Sequence, residues 1–138
     1  MQDKHKTESL ILTIRTDKPE AEVGLYGSNK SIACLKWQAG RELSADIHNK
    51  IKEVLSSRQI EYRDLTGVAF YKGPGSFTGL RIGASVANTI AYELDIPVIG
   101  ANGSHWVRKA VNNLSPTSPE RIIIPEYGSP ARTTKPKK

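Results

Sequence analysis

Apolar residues are spaced along this chain in two rhythms, and the change between them sets out the elements. Leu10 to Thr16 is almost continuously apolar, as expected of a central strand covered on both faces. Asp17-Lys18-Pro19-Glu20 turns the chain, Glu22 to Tyr26 alternates as a second strand, Gly27-Ser28-Asn29 turns again, and Ser31 to Trp37 makes a third. Short strands joined by tight turns predict an antiparallel meander. The period then lengthens. After Ser44, a plausible N-cap, Ile47, Ile51, Val54 and Leu55 recur at helical spacing up to about Ser57, with Asp46 in the first turn and Arg58 beyond the last to suit the helix dipole. Gly67 to Lys72 reads as a buried strand and Ile96 to Gly100 as a fifth. Asn102-Gly103-Ser104 opens a short helix with Val107, Ala110, Val111 and Leu114 on one face. Arg121 to Ile124 is expected to add a brief strand.

Between the fourth and fifth strands lies the most distinctive stretch, Gly73-Pro74-Gly75-Ser76-Phe77-Thr78-Gly79-Leu80-Arg81-Ile82-Gly83. Pro74 fixes φ and gives up a donor, its flanking glycines can take backbone angles closed to other residues, and Ser76 is a good N-cap. A helix from Phe77 to Glu93 is predicted, stopping before Asp95-Ile96-Pro97 because proline disfavours helical geometry in the residue ahead of it. At 100° per residue, Leu80, Ala84, Ala87, Ala91 and Leu94 share one side, while Ile82, Val86 and Ile90 lie nearly opposite. Arg81, Ser85, Asn88 and Tyr92 form the only polar stripe. Gly79, Gly83, Ala87 and Ala91 make a row of small residues that lets a neighbour approach closely. The second apolar side must be covered by another lobe or chain, or else the helix is central and packed on both sides within its own domain.

Composition narrows the class. The chain has 138 residues, 38% hydrophobic and 25% charged, which suits one globular domain, expected at 10–124 between a disordered 1–9 and an extended basic tail at 125–138. Nothing approaches the roughly 20 apolar residues needed to span a bilayer. With a single cysteine, Cys34, and no secretory pattern at the start, a cytoplasmic location is expected. The net charge of +6 is concentrated at the end, where Arg132, Lys135, Lys137 and Lys138 stand without an acid. Such a tail either neutralises nucleic-acid phosphates or is a solvated end.

Three meander strands followed by helix, strand, helix, strand, helix is the order of a ribonuclease-H-like α/β fold. It is equally that of one lobe of the actin-like ATPase and sugar-kinase architecture (ASKHA), a mixed five-stranded sheet with helices on both faces. Catalytic chemistry finds little support. Gly73 to Ser76 precedes a helix N-terminus that could face a phosphate, but Pro74 lacks a donor and no Gly-Lys-Ser/Thr follows. Kinases and ATPases of this architecture need a carboxylate by the first strand to hold Mg²⁺. Arg15 would repel that ion, leaving Asp17 as the candidate. His5, His48 and His105 lack metal-site spacing, and Trp37 and Trp106 read as packing residues.

The stretch GPGSFTGLRIG at 73–83 resembles the signature of the TsaB family, also called YeaZ. The similarity extends over about residues 10–110, through Gly40-Arg41-Glu42 and Ile96-Pro97-Val98-Ile99-Gly100. The resemblance implies a non-catalytic scaffold for tRNA N6-threonylcarbamoyladenosine (t6A) formation at adenosine 37. Such a subunit docks on a TsaD-like catalytic subunit through the helices of its first lobe, pairs with itself in some members by the same surface, and meets a TsaE-like ATPase and tRNA within the complex. It implies no cofactor on this chain, with ATP and metal on partner subunits. Mapped here, the interface comprises Ile47, Ile51, Ser76, Phe77, Gly79, Arg81, Gly83, Ala87 and Ala91, with Gly73, Pro74, Gly75 and Ser76 as the signature loop. Three departures stand out: Arg15 where the family usually has an acid, Leu43 where it often has histidine, and no room for a second lobe. A small nucleotide-binding enzyme using the 73–76 loop and Asp17, and a tRNA-binding module acting through the tail, are the alternatives.

Overall fold

The computed structural model describes residues 9–28 and 30–114. The strands are β1 (Ile11–Arg15), β2 (Glu20–Gly27), β3 (Lys30–Gln38), β4 (Gly67–Tyr71) and β5 (Val98–Ala101), and the helices are α1 (Leu43–Ser56), α2 (Phe77–Leu94) and α3 (Trp106–Asn113). They form one mixed sheet in the order β3-β2-β1-β4-β5. The meander is antiparallel, whereas β4 runs parallel to both β1 and β5. This is the predicted ribonuclease-H-like arrangement. Among the described residues no helix is long and apolar enough to cross a membrane. The N-terminal eight residues, the brief strand expected at 121–124 and the tail at 125–138 lie outside the described residues.

Register assigns each face of the sheet its own core. Leu12, Ile14, Val23, Val68 and Phe70 point to the side covered by α1 and α2, where Ile47, Ile51, Leu80 and Ala87 meet them with essentially no exposure. Ile11, Ala69, Tyr71 and Ala101 point the other way and pack under α3 through Trp106 and Ala110. β1 is buried on both faces, as its unbroken apolar run requires.

Local boundaries depart from the sequence reading for identifiable reasons. Ser44 does not cap α1: a 3-10 turn at Gly40–Glu42 runs straight into the helix, and its N-cap Glu42 makes no side-chain bond. That turn is positioned by the Pro19 carbonyl, which accepts from Ala39 N–H at 2.9 Å and Gly40 N–H at 3.3 Å. The fifth strand starts at Val98 because Ile96 and Pro97 form the connection from α2. There Asp95 takes the left-handed conformation (φ 57°) that ends the helix.

The largest correction concerns α2. Its row of small residues, Gly79, Gly83, Ala87 and Ala91, faces this chain's own sheet and is buried. A Cβ on Gly83 would collide with Thr16 Oγ1 and lie 2.7 Å from the Phe70 ring, and one on Gly79 would strike the Thr16 carbonyl. The opposite apolar side is also enclosed, with Val86 only 7% and Ile90 only 6% exposed and Ile82 half-buried against the same core. The helix is therefore packed on both sides within its own domain. Gly79, Gly83, Ala87 and Ala91, like Ile47 and Ile51 of α1, are interior residues that no partner can touch directly.

Candidate partner-docking face

The start of α2 is fixed to the β1–β2 turn by a short set of bonds. Gly73 at φ 107° lets the chain leave β4, a backbone angle that a residue with Cβ rarely adopts. Gly75 then passes so close to Asp17 that a Cβ would meet the Asp17 side chain and carbonyl. Ser76 N–H donates to the Asp17 carbonyl at 2.9 Å, while Ser76 Oγ accepts from Gly79 N–H at 3.2 Å as the N-cap. Thr16, itself buried, donates from Oγ1 to the Gly79 carbonyl at 2.8 Å. Two neighbouring residues of the turn thus hold the loop and the first helical turn. The Ser76 and Gly79 amides, available in principle to a phosphate, are committed to these internal partners.

The exposed side of α2 carries Phe77, Arg81, Ser85, Thr89 and Tyr92. Phe77 is 54% exposed and Tyr92 82%, the two large exposed hydrophobic residues of the described chain. The Arg81 guanidinium carbon lies 5.5 Å from the Phe77 ring centroid, in cation–π range. Beside the helix start, an open groove of about 280 Å³ runs between Lys18 and Pro19 of the turn, Arg41 of the 3-10 turn, and Thr78 and Ile82 of α2. The combination offers aromatic area, cations and a shallow recess, which is the composition of a protein contact surface more than of a small-molecule pocket.

Of the residues anticipated for the interface, Ser76, Phe77 and Arg81 come together on this face. Tyr92, counted from the sequence only as part of a polar stripe, lies on the same exposed side and is the more exposed of the two large hydrophobic residues there.

A second cluster lies where β1 and β4 end. Arg15 Nε sits 2.9 Å from Asp17 Oδ1 and Nη2 3.3 Å from Oδ2, while its guanidinium stacks 4.0 Å from the Tyr71 ring centroid. Tyr71 meets Trp106 edge-on at 5.6 Å. The hydrogen bond to Asp17 raises the Arg15 pKa against the opposing cost of burial. His48 and His105 are exposed, and among the described residues no group of three His, Cys, Asp or Glu side chains could hold a metal. Desolvation and the Glu22 carboxylate, 3.5 Å away, push the Cys34 thiol up to about 11, so it stays protonated at neutral pH.

Similar proteins agree with this architecture. A family model described as TsaD, tRNA N6-adenosine threonylcarbamoyltransferase, matches residues 37–123. The tRNA threonylcarbamoyladenosine biosynthesis protein TsaB of Buchnera aphidicola (subsp. Acyrthosiphon pisum) is 35% identical over 94 residues, 68% of this chain and 42% of that protein. Bacillus subtilis TsaB is 38% identical over 104 residues, 70% of this chain and 45% of its own length. The chain thus spans less than half the length of these relatives. The solved structure of YeaZ from Pseudomonas aeruginosa superposes with a TM-score of 0.65 at 22% identity, over 76% of this chain and 49% of the other, and so shares the fold. The family model covers well over half of the sequence, the named relatives share more than a third of their residues over about two thirds of it, and the chain belongs to the TsaD family and, within it, to the TsaB (YeaZ) group.

Proposed function

We propose that this chain is a non-catalytic partner subunit in tRNA threonylcarbamoyladenosine formation, docking on a TsaD-like catalytic subunit through the exposed side of α2. The observation that carries the reading is the exposure of Phe77 and Tyr92, two large aromatic side chains toward either end of a helix whose other sides are enclosed. Exposed aromatics flanking an arginine have the composition of an interface hot spot. The relatives' names supply the pathway. A non-catalytic role is supported by the end of the first strand, where Arg15 holds Asp17, the carboxylate that was the candidate metal ligand there. A TsaE-like ATPase and tRNA would be met only within the complex, and a second copy of this chain would compete for the same helix face.

The test is to mix the chain with its cognate TsaD-like protein and measure mass in solution. Phe77→Asp combined with Tyr92→Asp should abolish a wild-type complex, since truncating interface anchors costs 2 kcal/mol or more each, roughly thirtyfold in Kd. Arg81→Glu alone should slow association and alter its salt dependence. Unchanged affinity in the double variant, with the circular dichroism of the folded chain intact, overturns this choice of surface.

A further inference from the structure

Where this fold handles nucleotides, its architecture implies a divalent ion held by a carboxylate beside the first strand. The residues here do not fit that ion. Both oxygens of Asp17 are engaged by the fork of Arg15, and the guanidinium is in turn stacked on Tyr71. We propose that Arg15 is a built-in cation standing in for the metal, a positioning residue that fixes Asp17 and, through it, the signature loop and the first turn of α2.

The route is continuous in the structure. Arg15 is the last residue of β1, and its side chain turns back over the face opposite α2, between Tyr71 of β4 and the Asp17 carboxylate. Tyr71 is itself braced by Trp106 from α3. Asp17, only 10% exposed at its side chain, presents its carbonyl to Ser76 N–H and its flank to Gly75. Thr16, between the two, holds Gly79. One guanidinium therefore links the helix on one side of the sheet to the start of the helix on the other. A planar fork suits this role better than an ammonium, because it can bond a carboxylate bidentately and stack on an aromatic ring at once. The pair is fixed in the covalent sequence, so order at the loop should not depend on divalent ions.

Hydrogen exchange on the full chain tests this apart from any partner. In the wild type, Ser76 N–H should be protected equally with and without magnesium, and manganese should leave the Asp17 and Ser76 resonances unbroadened. Arg15→Met keeps an apolar stem against Tyr71 but removes the fork. It should lower protection at Ser76 and Gly79 by about tenfold or more while Leu12 and Phe70 in the sheet centre stay as in the wild type. Arg15→Lys should recover part of the loss. The proposal is overturned if Ser76 in Arg15→Met exchanges as in the wild type, if Leu12 and Phe70 lose protection in the same proportion, or if wild-type Ser76 responds to magnesium or manganese.

Discussion

The two long sides of α2 are written in different alphabets and meet different solvents. Facing the sheet, Gly79, Gly83, Ala87 and Ala91 bring helix and strands close enough for Thr16 Oγ1 to bond the helix backbone. Facing water, Phe77, Arg81, Ser85 and Tyr92 are exposed, with the Arg81 guanidinium over the Phe77 ring. On these two sides the small residues mark where the helix is already satisfied and the exposed aromatics where it is still open, while the large Val86 and Ile90 lie enclosed between them. A row of glycine and alanine on a helix shows how near a neighbour comes, not whose chain the neighbour belongs to. An exposed aromatic, by contrast, bears directly on what remains to be covered.

The contrast is broken most severely by adding volume on the sheet side. Gly83→Leu must push four carbons into space already held by Thr16 and Phe70, and the sheet cannot give way because β1 is packed on both faces. A loss at or above about 3 kcal/mol is expected, a large part of the 5–15 kcal/mol typical of a whole domain. Urea unfolding would show a collapsed midpoint or an unfolded chain. The same change at Ser85, across the helix, should cost under about 0.5 kcal/mol. If both variants unfold at the same midpoint, the assignment of inner and outer sides fails.

A subtler break leaves the volume unchanged. Thr16→Val keeps the shape but removes the hydroxyl that bonds the Gly79 carbonyl from outside the helix, at an expected cost of about 1 kcal/mol. Ser76→Ala removes the N-cap and should cost about 1 kcal/mol, with fraying limited to the first turn of α2. Both are read from thermal midpoints, and both should leave Tyr92, at the far end of the helix, in place.

These effects also show where the sequence was legible. Strand and helix periods placed all five strands and three helices, because apolar residues recur at fixed spacing on a covered face or run unbroken where both faces are covered. The two-sided character of α2 was legible too, as were the Ser76 cap and the stop at Asp95. What covered each side was not, because linear spacing carries no information about which neighbour fills a groove. The fold decides that, by setting Thr16 and Phe70 under Gly83 on one side and enclosing Val86 and Ile90 in the same core on the other. The stack of Arg15, Tyr71 and Trp106 was hidden for the same reason. Its members are far apart in the chain and meet only because β1 and β4 run parallel with Arg15 and Tyr71 on one face. Arg15 is visible in the sequence as an oddity, a cation where a carboxylate would hold metal, but nothing in the linear chain shows that it pairs with the candidate ligand Asp17. The turn after β1 brings Asp17 back beside the last side chain of the strand, and the fork of Arg15 occupies both of its oxygens.

The smallest effect is the sharpest test of the outer side. Ser85→Ala sits mid-helix and exposed, where alanine is a better helix former and nothing is packed above it. In the isolated chain it should raise stability by a few tenths of a kcal/mol, as helix propensity alone predicts. When a partner covers this face, the same methyl becomes part of an interface and the hydroxyl is lost from it, so the gain in the free chain need not carry over to the complex. Measuring both on one variant separates the helix's own preference from the demand of whatever docks there. A stability change larger than about 1 kcal/mol in the free chain would mean that Ser85 is already in contact with its own fold, and the open side of α2 would then be narrower than Phe77 and Tyr92 make it.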